Sequence, residues 1–582
     1  MVTNIEFDHM EHFASVEAFE DCFRTFIAAT RRCVVYCADD PRAARLCAGR
    51  VRTLAYGFGE SATLRATALA ADAAGTDFDA ARADQPLGRF RVPAPGRHNV
   101  LNALACLGVA LELGLAPDAV REALARVVLP RRRFDRLVER DDIVVVSDYA
   151  HHPSEIAALV RTAATLNRSR LVGVFQPHRY TRTLALGPDF PPAFDGLAEL
   201  VLVPVYAASE RPLDGGASWD LYAHCRAHGS MTVRLADSLE QAWAYLQTQL
   251  RIGDGLLVIG AGDVERIAFG ARDALRERRL EQLGTLMERV VHEIELSASL
   301  VRGREPLANK TTFGVGGAAD VWMELGDETD LRKVLAWTHA SKIPFTLLGG
   351  GSNVLVSDLG VRGVVARLTG APFKTIRAEG TTVTVGAGTP LARLLAWTEE
   401  QALGGLEFLH HVPGTVGGAV HGNAGAWGRA IGERIVAVRV LARDGTEQRL
   451  AARDLDFTYR KCPSLRDLAI VEVSLRLDQA EPARLRTEKA DVAGKRAWLQ
   501  GLRSAGSVFK NPPGAAAGRL LEEAGLKGRR IGGAVVSALH ANVIATETGA
   551  TASDVLALLE TARTAVRSRF NVELETELVL LG

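Results

Sequence analysis

The texture of this 582-residue chain changes near residue 296, and that change limits what it can fold into. Up to about residue 278, short β-branched runs alternate with Ala-, Leu- and Arg-rich helical patterns. The clear runs are 143–147, 171–175, 200–205 and 256–259, with helical patterns such as 154–166 and 239–250 between them. This alternation predicts βαβ units around a parallel sheet. Residues 270–295 are helical and charged (Arg276, Glu277, Arg278, Glu281, Glu288) and read as a linker or entry helix. From 296 onward, glycine-rich turns separate short strands at 364–368, 382–385, 435–441 and 470–477, an α+β texture. At about 150 residues per domain, a chain of this length holds roughly four domains. The expected segments are 1–128, 129–278, a linker helix over 279–295, 296–480 and 481–582.

Composition removes several classes. Hydrophobic residues make up 47% and charged residues 24%, too apolar for a disordered chain. The 69 basic and 69 acidic residues cancel, which argues against a general nucleic-acid binder. No run of about 18 uncharged apolar residues exists, so no membrane insertion is expected. The longest candidate, 100–116, carries Asn102 and Glu112 and reads as a buried helix. The first twelve residues hold Glu6, Asp8 and Glu11 and no basic residue, so no secretory signal is visible. Of 7 cysteines, Cys22, Cys33, Cys37, Cys47, Cys106 and Cys225 precede residue 226. The spacing of Cys33, Cys37 and Cys47 does not suit zinc, and reduced thiols in a cytoplasmic protein are expected.

In the second half, one strand ends in Gly349-Gly350-Gly351-Ser352-Asn353 and another begins. Three glycines let the backbone turn tightly and aim N–H groups at an anion such as a pyrophosphate. Ser352 and Asn353 add side-chain donors, although a plain glycine-rich turn reads equally well from this stretch alone. Further glycine-rich stretches are 412–428, 503–512 and 517–528, the last leading to Ile531-Gly532-Gly533-Ala534, and the chain closes with 572–578. Together with 311–320, these ordered motifs resemble UDP-N-acetylenolpyruvoylglucosamine reductase, in its shorter subtype, over about 296–582.

That resemblance implies an oxidoreductase with a two-part FAD-binding α+β domain (296–480) and a substrate-binding α+β domain (481–582). It implies FAD as cofactor, NADPH as reductant and a UDP-sugar as small-molecule substrate. The reaction would be reduction of UDP-N-acetylglucosamine enolpyruvate to UDP-N-acetylmuramate in peptidoglycan synthesis, and so in cell shape and division. The cofactor would contact Gly349, Gly350, Gly351, Ser352, Asn353, Pro413, Gly414, Thr415, Gly417, Gly418 and Asn423. Tyr459, Lys510 and Asn511 would face the substrate. By motif match Ser507 is the proton donor, Arg460 pairs with the substrate carboxylate, and Glu577 is the C-terminal catalytic glutamate; no metal is implied in this half. The chemistry needs such groups: hydride addition builds enolate charge, and a serine gives up a proton only to a strong base with a relay behind it. His410-His411 depart from the family pattern, which has small or apolar residues there. Adjacent side chains on a strand diverge, so joint metal ligation is not expected; the pair reads as variation that could tune flavin potential.

The first half opens with 2–11 and carries Pro95-Gly96-Arg97-His98-Asn99, then 131–136, 147–155, 175–183 and 260–263. Residues 148–153 fall at the carboxyl end of a strand, where open α/β sheets bind ligands. His98 and Asn99 begin a helix whose N-terminus can meet phosphates. Any one of these histidines alone reads as well as a structural residue. The ordered set resembles UDP-N-acetylmuramate–L-alanine ligase over 1 to about 278. The implied pieces are part of the ligase central domain (1–128) and its Rossmann-like C-terminal domain (129–278). The resemblance places ATP near His98, Asn99, Asp148 and His152 and magnesium near His9, both only if the ligase is completed. No Gly-x-x-x-x-Gly-Lys-Ser/Thr occurs: Asn309-Lys310-Thr311 lacks the glycine and Gly494-Lys495-Arg496 the hydroxyl. Without that lysine, acyl-phosphate formation is expected to fail. Missing strands are expected to leave residues 1 to about 125 with an exposed sheet edge. The open readings are a truncated remnant, a miscalled start hiding a complete bifunctional enzyme, one part of a split enzyme, or a non-catalytic module that binds the product or other cell-wall enzymes. The two resemblances together imply a cell-wall fusion whose intact half is the reductase.

Overall fold

In the computed structural model the chain divides into two compact units, Met1–Glu277 and Arg278–Gly582. The structure describes all residues except 8–11, 14, 50–51, 73, 140–142, 277–284 and 500, and the side chains of 139, 276 and 285.

The first unit holds two sheets. In one, Val34–Cys37, Thr53–Gly57, Leu64–Asp72, Gly75–Arg82 and Gln85–Val92 lie side by side in chain order. The first three are parallel and the last two antiparallel. Helix Arg97–Glu112 buries Val100, Leu104 and Leu107 in one core with Leu54, Tyr56 and Phe78. The exposed edge expected here is present on one side of the sheet: Gln85–Val92 ends it, pairs only with Gly75–Arg82 and is largely exposed, whereas the Val34–Cys37 edge is covered. Val2 runs parallel beside Tyr36, donating its N–H to Val35 O at 2.8 Å and accepting the Cys37 N–H at 3.0 Å. Val34–Cys37 is buried throughout, and Val2, Ile5, Phe19 and Ile27 join it in a second core. Pairing with the chain's own first residues blunts the edge, as strand edges require.

The other sheet runs Thr232–Leu235, Glu199–Leu202, Arg170–Phe175, Asp254–Ile259, Val144–Asp148 and Asp135–Glu139. Every neighbour is parallel except the last. Val144–Asp148 and Asp254–Ile259 are buried at every position, the run-like pattern of a covered parallel sheet. Asp148 therefore sits at a carboxyl end, beside the strand where the order of connection reverses.

The second unit shares one core between two sheets. Leu300–Pro306, Ala318–Leu325, Val361–Leu368 and Phe345–Leu347 form the first. The second is antiparallel: Ile376–Glu379, Thr382–Gly386, Ala469–Arg476, Ile435–Leu441 and Glu447–Ala451. Val321, Val364, Val383, Val438 and Val473 meet between them. Helix Thr285–Glu293, in the stretch that reads as a linker, buries Val290 in this same core. After helix Pro482–Arg496 and a small sheet, helix Ala552–Phe570 leads to Val579–Leu581, which pairs in parallel with Val354–Val356. No described helix is long and apolar enough to cross a membrane.

Asp358 fixes this return. Its carboxylate accepts the N–H groups of Ala552 (2.8 Å) and Ser553 (2.7 Å) and the Ser553 hydroxyl (2.7 Å) at the start of the long helix. Asp358→Ala should lower the stability of the second unit by about 2 kcal/mol, because capping donors lose a charged acceptor. Urea unfolding of the full chain measures it; a shift below about 0.5 kcal/mol, ordinary for a surface substitution, contradicts this role.

Candidate functional site

The loops 349–353 and 413–418 lie against each other in the second unit. A Cβ on Gly350 would fall 2.6 Å from the Gly414 Cα, and one on Gly349 would fall 2.7 Å from Thr415 Oγ1. Gly351 (φ +64°) and Gly414 (φ +127°) take conformations that favour glycine. Ser352 Oγ donates to Pro413 O at 2.9 Å and ties the loops together. Gly417 N–H is bonded to Ala387 O (2.8 Å) and Gly418 N–H to Thr415 Oγ1 (3.3 Å), the N-cap of helix Val416–His421. These two glycines therefore serve close approach, with their amides already used. Buried Asn423 is likewise engaged: Nδ2 donates to Thr458 O (2.8 Å) and Oδ1 accepts the Gly432 N–H (3.0 Å). It braces the loop against the turn 458–461.

Two buried hydroxyls beside these loops, Thr312 Oγ1 and Thr389 Oγ1, have no protein partner. Thr312 N–H donates to Gly351 O (3.0 Å), and Thr389 O accepts the Val416 N–H (2.9 Å), so each hydroxyl belongs to one loop. An unsatisfied buried hydroxyl costs about 1–3 kcal/mol, which a hydrogen-bonding ligand would relieve.

The strand that carries Ser507, the turn that carries Arg460 and the segment that carries Glu577 come from separate parts of the sequence and meet through Glu577. The stretch 507–510 is flanked on one side by Val543, through a bridge to Ser507, and on the other by Thr576, through a bridge to Phe509. Glu577 N–H donates to Val508 O at 2.8 Å. Arg460 Nε lies 2.8 Å from Glu577 Oε1. Burial pushes the Glu577 carboxyl above the usual carboxylate range, and Arg460 opposes that rise. Arg460 itself has φ +59°, in a turn where Thr458 N–H donates to Lys461 O (2.9 Å) and Lys461 N–H to Thr458 O (3.3 Å). Asn353 Nδ2 donates to Glu577 O at 3.1 Å, joining the triple-glycine loop to the glutamate. Tyr459 is exposed, with the Arg460 guanidinium 5.2 Å from its ring centroid. Lys510 Nζ lies 2.5 Å from Glu575 Oε1, and Asn511 Oδ1 accepts the Ala517 N–H at 3.0 Å.

A cavity of about 330 Å³ opens beside Ser507, lined also by Asn511, Arg519, Glu522, His540 and Asn542. Sequence reasoning missed the last two. Asn542 Oδ1 accepts the Phe509 N–H (2.9 Å), its Nδ2 donates to Phe509 O (2.8 Å), and its own carbonyl accepts the Val508 N–H (2.9 Å). Its amide is an added ladder rung that fixes the strand carrying Ser507. His540 stacks on Trp498 at 5.1 Å with 7° between the planes, and its Nδ1 accepts the Asn542 N–H (3.2 Å). Burial lowers its titration. His410 and His411 are not on a strand: they form a turn after the 3-10 helix Glu407–Leu409, with His411 at φ +61°. The turn arises because Leu409 O and Glu407 O accept the Val412 and His410 N–H groups.

In the first unit, buried Asp148 accepts the N–H groups of Phe134 (2.7 Å) and Ala150 (2.8 Å), while burial raises its carboxyl. His152 caps helix Pro153–Ala164, and its Nδ1 lies 3.2 Å from Glu6 Oε2. Asn99 Nδ2 donates to Pro95 O (2.8 Å), so that side chain secures its own helix start. His98 is lowered by burial and by the charges of Arg133 and Arg161. His9 lies outside the described residues. Sequence reasoning also left His178 without a role: it stacks on Tyr206 at 5.5 Å and is pushed down to about 4 by burial and then by Arg182. Among the described residues no cluster of three His, Cys, Asp or Glu could hold a metal.

The opposition of burial and Arg460 at Glu577 has a measurable sign. Arg460→Gln removes the opposing charge, so the pH at which Glu577 titrates should rise. Carboxyl ¹³C NMR reads it; an unchanged or lower titration contradicts the pairing.

Against family profiles, residues 498–581 match the UDP-N-acetylenolpyruvoylglucosamine reductase C-terminal domain and 319–451 an FAD binding domain. Residues 132–262 match the Mur ligase glutamate ligase domain and 1–110 the Mur ligase middle domain. UDP-N-acetylenolpyruvoylglucosamine reductase 2 of Symbiobacterium thermophilum is 43% identical over 285 residues, 48% of this chain and 92% of that protein. The reductase of Bacillus subtilis is 38% identical over 301 residues, 51% of this chain and 99% of that protein. The solved reductase (MurB) of Thermus caldophilus shares 35% identity at a TM-score of 0.43, covering 49% of this chain and all of that one. The UDP-N-acetylmuramate-alanine ligase MurC of Thermotoga maritima shares 24% at a TM-score of 0.39, covering 47% of this chain and 59% of that one. With more than nine tenths of these curated reductases spanned by its second half, the chain belongs to the UDP-N-acetylenolpyruvoylglucosamine reductase family and carries Mur ligase middle and C-terminal domains ahead of that half.

Proposed function

We propose that the second unit reduces UDP-N-acetylglucosamine enolpyruvate to UDP-N-acetylmuramate, with FAD as cofactor and NADPH as reductant, in the cytoplasm. The observation that carries this reading is the convergence of the Arg460–Glu577 pair, the Ser507 strand and the two glycine loops. Two observations support FAD at these loops: the glycines let 349–353 and 413–418 pack closely together, and the buried Thr312 and Thr389 hydroxyls beside them have no protein partner. FAD, when bound, supplies to the substrate methylene carbon the hydride that NADPH provides.

The remaining work falls to side chains. The Arg460 guanidinium pairs with the substrate carboxylate and meets the charge that develops there. Ser507 Oγ–H gives its proton to the carbon next to that carboxylate. Glu577, whose carboxyl burial raises and Arg460 lowers, is assigned as the acidic group that faces the developing enol. Lys510, Asn511 and Tyr459 orient the UDP-sugar. For the first unit, His98, Asp148 and His152 are assigned to the nucleotide side of the Mur ligase domains, and Asn99 to holding the helix start beside them.

Gly350→Val should abolish the yellow chromophore of the purified chain, since its side chain enters the Gly414 backbone. Retention of flavin at full stoichiometry removes the loop assignment. Ser507→Ala should leave NADPH reduction of the flavin intact and slow reoxidation by the enolpyruvyl substrate by about a hundred- to ten-thousandfold. Stopped-flow absorbance separates the steps, and equal slowing of both makes Ser507 a residue of flavin placement instead.

A further inference from the structure

We propose that Glu575 is a positioning residue for the reduction, holding Lys461 and Lys510 together so that Arg460 keeps Glu577 to itself. This rests on the assignment of Arg460, Glu577 and Ser507 given above. Glu575 and Glu577 alternate on an extended segment, so both side chains face the same way. Opposite them stand two consecutive cations. Arg460 meets Glu577 at 2.8 Å, and Lys461 meets Glu575 at 2.9 Å.

Lys510 is the third cation. Its ammonium lies 2.5 Å from Glu575, and its N–H donates to Glu575 O at 2.8 Å. The Lys510 side chain is only 10% exposed, whereas that of Glu575 is 60% exposed. A nearly buried ammonium needs a counter-charge, and the next carboxylate along the segment is Glu577. The charge of Lys510 already pulls the Glu577 carboxyl downward. Removing the Glu575 charge therefore frees Lys510 to compete with Arg460 for Glu577.

The same contact restrains the turn. Arg460 occupies the left-handed region, which a side chain of its size rarely adopts unless neighbours hold it. Asn423 pins one end of the turn through Thr458 O, and Glu575 pins the other through Lys461. The Lys510 and Lys461 bonds hold the Glu575 carboxyl below its ordinary range, so the latch stays charged through neutral pH.

The test is Glu575→Gln in the full flavoprotein, beside Lys461→Met and the double variant. An exposed carboxylate contributes little to stability, so flavin content and melting temperature should match wild type. NADPH reduction of the flavin should stay within about twofold, and reoxidation by the enolpyruvyl substrate should fall about tenfold. The double variant should lose less than the product of the single losses. The Glu577 carboxyl, followed by ¹³C NMR in oxidised protein without substrate, should titrate at lower pH in Glu575→Gln. The proposal is overturned by an unmoved Glu577 titration, or by equal slowing of both half-reactions. The NMR arm needs no turnover, so a wild-type chain that fails to reduce the substrate sinks the functional reading while Glu575 is still judged.

Discussion

The parallel pairing of Val354–Val356 with Val579–Leu581 is the constraint on which the rest of the site depends. It brings the last residues of the chain beside the loop that follows the triple glycine. The Asn353 bond to Glu577 O and the Val579 N–H bond to Asn353 O extend the pairing as far as Glu577. Glu577 is thereby carried to Arg460, and the strand of Ser507 is held through Val508. Asp358, two residues beyond Val356, clasps the start of the helix that leads back to this strand. A half-buried carboxylate–guanidinium pair still costs desolvation, and backbone bonds on both sides fix its geometry here.

The proposed function depends on how that pair is tuned. Burial raises Glu577 while Arg460 lowers it, so its proton affinity is set by the difference between two opposed effects. A carboxyl balanced in this way suits a step in which charge appears on a substrate carboxylate and must be quenched by a proton. Lys510 and Glu575 lie one alternation away on the same face, and their pairing bears on the same balance.

Much of this was legible in the residues. The glycines at 350, 351 and 414 could be read because only glycine permits such close backbone approach or such positive φ. The strands of the first unit announced themselves by the runs 143–147 and 256–259, which fall in the buried strands Val144–Asp148 and Asp254–Ile259. What could not be read depends on partners distant in sequence. Asn542 looks like any loop asparagine until Phe509 is folded against it. Asn99 and Asn423 read as ligand contacts, and the sequence did not show that their amides also bond the protein's own backbone, at Pro95 O and at Thr458 O and Gly432 N–H. One of the two sheet edges in the first unit is covered because Val2 pairs with Val35 and Cys37, a contact no local pattern announces. His410 and His411 read as strand residues, and local backbone bonds made them a turn.

The most direct test is an anaerobic titration of the purified full chain. NADPH should bleach its bound flavin, and UDP-N-acetylglucosamine enolpyruvate should then restore the colour at one equivalent per flavin. In D₂O the product should carry solvent deuterium at the carbon next to the carboxylate. A bleached flavin that the enolpyruvyl substrate cannot reoxidise, or a product without deuterium at that carbon, would contradict the site described here.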